Sequence, residues 1–415
     1  MTFKLATRRT ASMAAVAAML AAAGATPASA QGSDENFTYT PGKGVLFKTQ
    51  SGDFALRGRG LFTFDYGAFS GGQPEIENDR AVRDAIALLT GRAFGDFSYQ
   101  FIYDFADADK APFKPYKNVV VSYEGLKPFT FTVGNQKVPF SQQHLNGAPQ
   151  FFLNERGLPF ALAPRRRVGA SVGVAGDRWQ AHGGVFGTNI NESVTFDDRA
   201  YGLRATYAPK LAPDHTLHFG AAANYVDPDP EVSKFGFPPE TLLPGRPLVA
   251  SGPVPGTDSF WRGNLELGGV FGPLSVQSEY SRVQVDRDTG SNPTFHGGHL
   301  QAAYVLTGES RPYIVAKNHM LRGVISKPKP AEPVDFANLE AGGIGAWEVA
   351  ARTSALDLRD AGVGQGDQWS AGLGLNWFPN NLVKMSVNYL HTETDEPGGR
   401  DESVDAGLLR LQLTL

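Results

Sequence analysis

The stretch FSYQFIYDFAD, residues 97–107, alternates aromatic and other side chains without a break. Its aromatic set is Phe97, Tyr99, Phe101, Tyr103 and Phe105, and the opposite parity carries mainly small or polar side chains. Because successive side chains of a strand point to opposite faces, this pattern predicts a β-strand with one aromatic face. Such a face would be core in a soluble sandwich and would contact lipid in an outer-membrane barrel.

The same alternation recurs along the whole chain. In FTFTVG, 129–134, phenylalanines and threonines fall on opposite faces, and WSAGLGLNWF, 369–378, separates tryptophans and leucines from glycine, serine and asparagine. Each segment approaches the roughly 9–11 residues that a tilted spanning strand needs. About sixteen strands are predicted: 54–66, 81–94, 97–107, 117–126, 128–135, 167–176, 178–187, 199–208, 216–226, 259–271, 273–285, 295–306, 344–357, 369–378, 382–392 and 404–415.

The joints between these segments differ in length. Gly95-Asp96, Gly176-Asp177 and Gly272-Pro273 are turn dipeptides, whereas four joints are long: 67–80, 136–166, 227–258 and 307–343. Short turns on one rim and long loops on the other are typical of outer-membrane barrels. The sequence therefore predicts the all-β class, as a transmembrane antiparallel β-barrel of about sixteen strands.

The first thirty residues read as an export signal. A basic start precedes the uncharged, Ala-rich run 11–25, and Ala28-Ser29-Ala30 fits the small-residue cleavage pattern. The run is too short and too rich in alanine for a membrane anchor. We expect a signal peptide at 1–30 and a barrel domain at 31–415. Removing 1–30 removes three cationic and no acidic side chains, which takes the formal net charge from −4 to −7.

Several ordered motifs resemble the phosphate-selective porin O/P family of Gram-negative outer membranes. They are FGDFSYQFIYDFAD (94–107), VGNQKVPFS (133–141), NERGLP (154–159), RRRVG (165–169), YVLTGESRPY (304–313), GAWEVAARTSALDL (345–358), LGLNWFPNNLVKMSVNYLH (373–391) and LLRLQLTL (408–415). The resemblance implies an outer-membrane porin domain over 31–415, usually a homotrimer, with loops folded into the lumen. It also implies passive diffusion with an anion preference set by lumenal arginines and lysines.

Cationic side chains are the candidates for an anion path, because the arginine fork pairs with oxyanions and keeps its charge. The candidate residues are Arg57, Arg59, Arg83, Lys137, His144, Arg156, Arg165, Arg167 and Arg204. Arg166, Arg262 and Arg352 carry the same chemistry. For Arg262 and Arg352 we expect salt bridges instead, since Glu266 and Glu348 lie near them on the same parity.

The chain departs from the phosphate-specific members of the family at several positions. His144 stands near their key lysine, and Lys117 or Asn118 stands at their acidic position on the fourth strand. The loop at 227–258, Arg-rich in those members, is here rich in proline, with only Lys234 and Arg246 as cations. A solvated His144 would gain charge between pH 7.5 and pH 5.5, so weak phosphate block near neutral pH would rise as the pH falls.

Single features of the sequence resemble a hydrolase motif or a metal site. Gly169-Ala170-Ser171-Val172-Gly173 matches the G-x-S-x-G elbow of hydrolases, but alternation continues through it and no helix is predicted to follow. The pairs His215/His218 and His296/His299 point to opposite faces of a strand, so no metal site or cofactor is predicted. The predicted function is a porin for small anions, with phosphate or polyphosphate as candidate solutes and outer-membrane lipid as surroundings. A general diffusion porin and an outer-membrane hydrolase are the alternatives, and no feature predicts nucleic-acid binding.

Overall fold

The computed structural model describes most of the chain beyond the predicted signal peptide, which lies outside the described residues. The described ranges are 37–72, 74–106, 115–192, 198–228, 232–236, 238, 240–317, 320–336, 338–340, 342–360, 362–363, 366–396 and 401–415. Within them no helix is long and apolar enough to cross a bilayer.

Strands dominate the structure. In chain order they are β1 (Phe37–Thr40), β2 (Gly44–Lys48), β3 (Ala55–Gly71), β4 (Asp79–Ala93), β5 (Phe97–Asp104), β6 (Tyr116–Tyr123), β7 (Phe129–Lys137), β8 (Arg166–Ala175), β9 (Trp179–Phe186), β10 (Arg199–Tyr207), β11 (Lys210–Ala212), β12 (His215–Asp227), β13 (Val232–Gly236), β14 (Ala250–Pro255), β15 (Thr257–Phe271), β16 (Leu274–Arg287), β17 (Thr294–Val305), β18 (Tyr313–Lys317), β19 (Met320–Ile325), β20 (Ala346–Asp357), β21 (Asp367–Phe378), β22 (Val383–Asp395) and β23 (Ser403–Thr414). The short helix α1 (Gln142–Leu145) and two 3₁₀ turns, η1 (Ala148–Gln150) and η2 (Leu158–Leu162), lie between β7 and β8.

Sixteen of these strands form a closed antiparallel barrel, as the sequence predicts. They are β3–β10, β12, β15–β17 and β20–β23, each paired with its neighbours, and β23 returns to β3 with Val404 opposite Gly71 and Thr414 opposite Leu61. Closure leaves the sixteen spanning strands without free edges, because each of them has two partners. The hairpin of β1 and β2 continues the sheet beside β3.

The two faces of the wall differ as the alternation predicts. Aromatic and aliphatic side chains cover the outside, among them Phe101, Tyr201, Trp261, Leu373 and Leu409, all of them exposed. The opposite parity points into the barrel and is mostly polar. This is the arrangement of a barrel with lipid outside and water or polar loops inside.

Three of the four joints that the sequence predicts to be long are long in the structure, and the fourth is shorter. β3 continues to Gly71, where it still pairs with β23, so the predicted long joint at 67–80 shortens to the connection between Gly71 and Asp79. The segments 138–165 and 228–256 belong to one rim. The segment 306–345 belongs to the other rim, which otherwise holds short turns, and it carries the hairpin of β18 and β19.

The core lies between the wall and these inserted segments. Phe152 and Leu153 of 138–165 pack with Leu390 and Leu408 of the wall. A Cβ on Gly372 or Gly374 would come within 2.8 or 2.6 Å of Leu153, so glycine at these positions lets the segment lie directly on the wall. The inserted segments thereby fill much of the interior, and the open space that remains lies mainly beside β3–β9.

Candidate functional site

The segment 138–165 crosses the lumen and is fixed to the opposite wall. Lys384 Nζ donates to the carbonyl of Phe151 (2.9 Å), and Asn376 Nδ2 donates to the carbonyl of Phe152 (2.8 Å). These bonds use polar side chains of the inward parity to satisfy backbone carbonyls that the segment would otherwise bury unpaired. The inserted segment is therefore fixed in position and narrows the lumen.

The segment 306–345 enters from the other rim and meets it. Ile325 N donates to Gln142 Oε1 (3.2 Å), and Asn146 Nδ2 donates back to the carbonyl of Ile325 (3.3 Å). Arg311 Nη1 donates to the carbonyl of Gln150 (3.1 Å). The two inserted segments support each other and together narrow the lumen.

Buried ion pairs brace the wall and the inserted segments: Arg311 and Glu240 lie in inserted segments, whereas the pairs Arg204–Glu266 and Arg410–Asp65 join strands of the wall. Each joins a guanidinium to a carboxylate with both groups almost fully removed from solvent: Arg204–Glu266 (2.7 Å), Arg311–Glu348 (2.6 Å), Arg352–Glu240 (2.6 Å) and Arg410–Asp65 (2.6 Å). Arg204 also donates to the carbonyls of Arg322 and Gly323, at 2.7 and 2.9 Å. Because their charges are compensated at close range, these arginines position the inserted segments and leave little field for a solute.

The remaining space is a lumenal cavity of about 1000 Å³. Among the described residues, fourteen cationic side chains line it: Lys43, Arg59, Arg83, Lys117, Lys137, Arg156, Arg165, Arg166, Arg167, Lys234, Arg262, Arg322, Lys327 and Lys329. The acidic side chains on the same lining are Asp84, Glu192 and Asp198. This surplus of positive charge within one confined space favours anions, whatever the net charge of the chain.

Carboxylates neutralise part of this surplus. Arg83 pairs with Asp84 (2.6 Å) and with Glu155, and Arg167 pairs with Asp198 (2.8 Å). Burial alone would raise the pKa of Glu155, but the adjacent Arg83 and Arg410 lower it to about 2, so this carboxylate is charged at neutral pH. Arg83 is thus largely compensated.

Other cations on the lining have no carboxylate within ion-pair distance in the described part of the chain. Arg59, Arg165 and Arg262 belong to this set. Arg262 donates to Asn224 Oδ1 (2.8 Å), and its guanidinium carbon lies 4.4 Å from the centre of the Phe260 ring. Uncompensated cations of this kind attract anions most strongly, because no fixed charge cancels their field.

Two cations are fixed by the inserted segment itself. Lys137 Nζ donates to the carbonyls of His144 (2.6 Å), Leu145 (3.2 Å) and Asn146 (2.9 Å). Arg156 lies between the rings of Phe151 and Phe160, 4.5 and 4.4 Å from their centres. Burial lowers the pKa of Arg156 to about 9, which leaves it charged at neutral pH. The charge of Arg156 is therefore held at a defined position on the cavity wall, close to the Lys137 amine.

Most residues predicted from the sequence meet at this cavity. Arg59, Arg83, Lys137, His144, Arg156, Arg165 and Arg167 line it. Arg57 and Arg204 are not among the lining residues: Arg57 Nη1 donates to the carbonyl of Lys43, and Arg204 is buried against Glu266. Sequence reasoning missed Arg322, Lys327 and Lys329, because nothing in the alternation predicts that 306–345 folds inward from the turn rim. It also missed Lys43, which lies in the turn between β1 and β2.

Two expectations about ion pairs need correction. Arg352 pairs with Glu240, not with Glu348, because the segment 228–256 reaches the wall and supplies the carboxylate. Arg262 does not pair with Glu266, since that carboxylate binds Arg204 and His218. Arg262 instead faces the cavity.

The expectation of a solvated His144 also needs correction. The side chain is 3% exposed, its ring stacks on Phe160 with centres 6.0 Å apart, and neither ring nitrogen has a hydrogen-bond partner among the described residues. Burial, together with nearby Lys137 and Arg156, lowers the pKa of His144 well below its ordinary value. The ring is therefore neutral throughout the range in which a solvated histidine would titrate.

Features that resembled catalytic or metal sites have structural surroundings. Ser171 lies within β8, and its Oγ donates to Gln136 Oε1 (2.8 Å), without the turn and helix of a nucleophile elbow. His299 is buried on the inner face of β17, whereas His296 is exposed on the outer face. The described residues contain no group of histidine and acidic side chains that could hold a metal ion.

Comparison with known proteins agrees with this architecture. The family model for phosphate-selective porins O and P matches residues 54–415. Porin O of Pseudomonas aeruginosa is 26% identical over 90% of this chain and 93% of its own length. An uncharacterised protein of Caulobacter vibrioides is 29% identical over 69% of this chain, and the aligned part spans 59% of that relative.

Solved outer-membrane proteins share the fold at low identity. OmpT of Vibrio cholerae in a trimer form has a TM-score of 0.54 at 10% identity, over 87% of this chain and 99% of that chain. The outer-membrane channel DcaP of Acinetobacter baumannii has a TM-score of 0.52 at 12% identity, over 89% and 99%. An anion-selective porin of Comamonas acidovorans has a TM-score of 0.50 at 11% identity, over 87% and 100%. From the match over 54–415 and the closed barrel, the chain belongs to the phosphate-selective porin O and P family and is a porin of the Gram-negative outer membrane.

Proposed function

We propose that this porin conducts small anions by passive diffusion along the cation-lined cavity and performs no catalysis. The observation that carries the proposal is the composition of the lining, on which fourteen cationic side chains face three acidic ones among the described residues. Anion selectivity needs this excess on a narrow wet path, with each site weak enough to release its ion. Arg59, Arg165 and Arg262 belong to the lining cations that have no carboxylate partner among the described residues.

We propose weak rather than tight phosphate binding. The lysine that the phosphate-specific members carry in the inserted segment is here the buried, neutral His144. Inorganic phosphate would be held only by the distributed arginines and lysines of the lining. Chloride and phosphate are then both expected to pass, and phosphate block of the chloride current is expected to be shallow.

We propose a homotrimer in the outer membrane, reached after removal of residues 1–30. The trimer form of the structurally similar OmpT supports this assembly. The basic, Ala-rich start and the Ala28-Ser29-Ala30 site support the cleavage. Lipid would then surround the outward aromatic and aliphatic faces that the trimer leaves uncovered.

Charge variants test the proposed path. Arg59→Gln, Arg165→Gln and Arg262→Gln should each lower the chloride-to-potassium permeability ratio measured from zero-current potentials in planar bilayers. Arg199→Gln is the matched control, because it removes the same charge from an exposed side chain on the outward parity of β10. Equal ratios in all four variants and the unmodified protein would contradict the proposal, since the lining would then not set the selectivity.

A further inference from the structure

Four aliphatic side chains form a continuous patch on the lumenal face of β3, β4 and β5. The residues of this aliphatic patch are Leu61, Ile86, Leu88 and Ile102, and all four line the cavity. Leu61 is the cross-strand partner of Ile86, and Leu88 is the cross-strand partner of Ile102. Because Ile86 and Leu88 are two residues apart on one strand, the four side chains are neighbours on one face.

The aliphatic patch is open to the cavity. Each of its side chains is half-exposed, and none belongs to the buried apolar clusters that join the inserted segments to the wall. The inner face of such barrels is normally polar where it contacts water. A group of adjacent aliphatic side chains left exposed in a binding cavity typically marks the place of an apolar ligand group.

Positive charge lies directly beside the aliphatic patch. Arg59 is the cross-strand partner of Leu88 and precedes Leu61 by two residues on the same face of β3. No carboxylate within the described ranges pairs with Arg59, whereas the nearby acids are occupied, Asp84 by Arg83 (2.6 Å) and Asp104 by Lys117 (3.3 Å). On β3 and β4, an apolar surface therefore lies beside a cation that has no carboxylate partner among the described residues.

We propose that Arg59 and the aliphatic patch form a binding site for small organic anions, with the carboxylate beside Arg59 and the hydrocarbon body against the aliphatic patch. This inference rests on the proposed anion path and specifies its solute class. A path built for inorganic ions alone gains nothing from this surface, because a fully hydrated ion has no apolar part to bury. A monocarboxylate contacts both parts of the site. Its charge favours entry into the anion path, and its chain length determines how tightly it binds.

A homologous series of carboxylates tests the site. Acetate, butyrate and hexanoate carry the same charged group and differ only in chain length. We expect the concentration that halves the chloride current to fall along this series, by up to about fourfold for each CH₂ that becomes fully buried. The measurement uses the unmodified full-length porin in planar bilayers at fixed potassium chloride.

Two variants locate the effect. Leu88→Asn places an amide in the middle of the aliphatic patch. In this variant we expect hexanoate and acetate to halve the chloride current at nearly the same concentration. Thr90→Asn is the matched control, because it places the same amide two residues away on the same face of β4, outside the lining residues. In Thr90→Asn the concentration that halves the chloride current should still fall steeply with chain length. Both changes point into the lumen, and the shift in gel mobility on boiling verifies that each barrel is folded.

The zero-current potential separates this proposal from the proposed function. Anion preference with a series that is flat in the unmodified porin would overturn the organic-anion site and leave the anion porin intact. A steep series that survives in Leu88→Asn would also overturn it, because the hydrocarbon would then bind elsewhere, for example in the lipid. A steep series in a channel that prefers potassium would contradict the proposed function and the anionic character of the site together.

Discussion

Arg410 on β23 and Asp65 on β3 form a two-pronged ion pair across the seam that closes the barrel, with Nε–Oδ1 at 2.7 Å and Nη2–Oδ2 at 2.6 Å. The two residues are cross-strand partners. The same guanidinium donates to the carbonyl of Asn154 and to Glu155, the latter at 3.0 Å. One buried arginine thus connects closure of the wall with the position of the constricting segment.

Removing one member of this pair should destabilise the barrel strongly, because the other charge would remain buried without a partner. We expect Arg410→Met or Asp65→Leu to cost about 3–5 kcal/mol of unfolding free energy. The double variant should cost clearly less than the sum of the two single variants. Unfolding in urea, followed by the gel mobility of folded and unfolded protein, measures these costs. Strictly additive costs would show that the pair is not coupled.

Arg204→Gln should affect the conductance more than the selectivity. Its guanidinium fixes the hairpin of β18 and β19 through the carbonyls of Arg322 and Gly323 and is compensated by Glu266. Loss of these bonds should loosen the hairpin, raise the open-channel noise and change the unitary conductance, with little change in the chloride-to-potassium ratio. A fall in that ratio as large as for Arg262→Gln would place Arg204 on the ion path itself.

Lys327 should make the anion preference depend on pH in the alkaline range. Burial, aided by the nearby Lys329, lowers the pKa of Lys327 to about 8. The side chain is therefore charged below this value and loses its charge as the pH rises through it. We expect the chloride-to-potassium ratio to fall between pH 7 and pH 9, and Lys327→Gln should abolish this step. Lys329→Gln is the control, because it removes the charge of the exposed neighbouring lysine, and it should keep the step. A step that persists in Lys327→Gln would show that another group causes the pH dependence.

His144 should contribute no pH dependence between pH 7.5 and pH 5.5. Burial and the neighbouring cations lower its pKa well below 6.5, so the folded protein keeps the ring neutral while an unfolded segment would bind a proton. Any stability that this neutral ring contributes is present above pH 6.5 and declines as the pH falls further. Chloride currents of the unmodified porin and of His144→Ala should therefore have the same pH profile. A step near pH 6.5 that only His144→Ala removes would show that water reaches the ring.

The wall of the barrel was predictable because one physical rule governs it. Strands such as FSYQFIYDFAD alternate between lipid and lumen, and exposure alternates residue by residue in spanning strands such as β10 and β20. The prediction was wrong about the joint at 67–80, where β3 continues to Gly71. Phe69 lies on the lumenal parity with Thr63 and Asp65 and packs against an inward apolar cluster, so an aromatic side chain there interrupts the apolar and polar alternation and conceals that the strand continues.

The interior was less predictable because tertiary contacts decide it. Parity identifies Arg59 and Arg262 as lumenal but does not reveal that Arg204 is neutralised by Glu266 and Arg59 is not. Parity also places Leu61 and Ile86 on the lumenal side, where their meaning depends on whether an inserted segment covers them. The burial of His144 follows from the path of 138–165 across the lumen, and no local pattern in the sequence encodes that path.

The zero-current potential of the unmodified porin across a potassium chloride gradient shows directly whether chloride or potassium passes more easily. The side with the higher salt concentration loses chloride faster than potassium if the cations of the lining set the selectivity. We expect a potential with the sign of the chloride equilibrium potential, which weakens as higher salt screens the lining. A potential with the sign of the potassium equilibrium potential would contradict it, because the fourteen cationic side chains would then not face the conducting path.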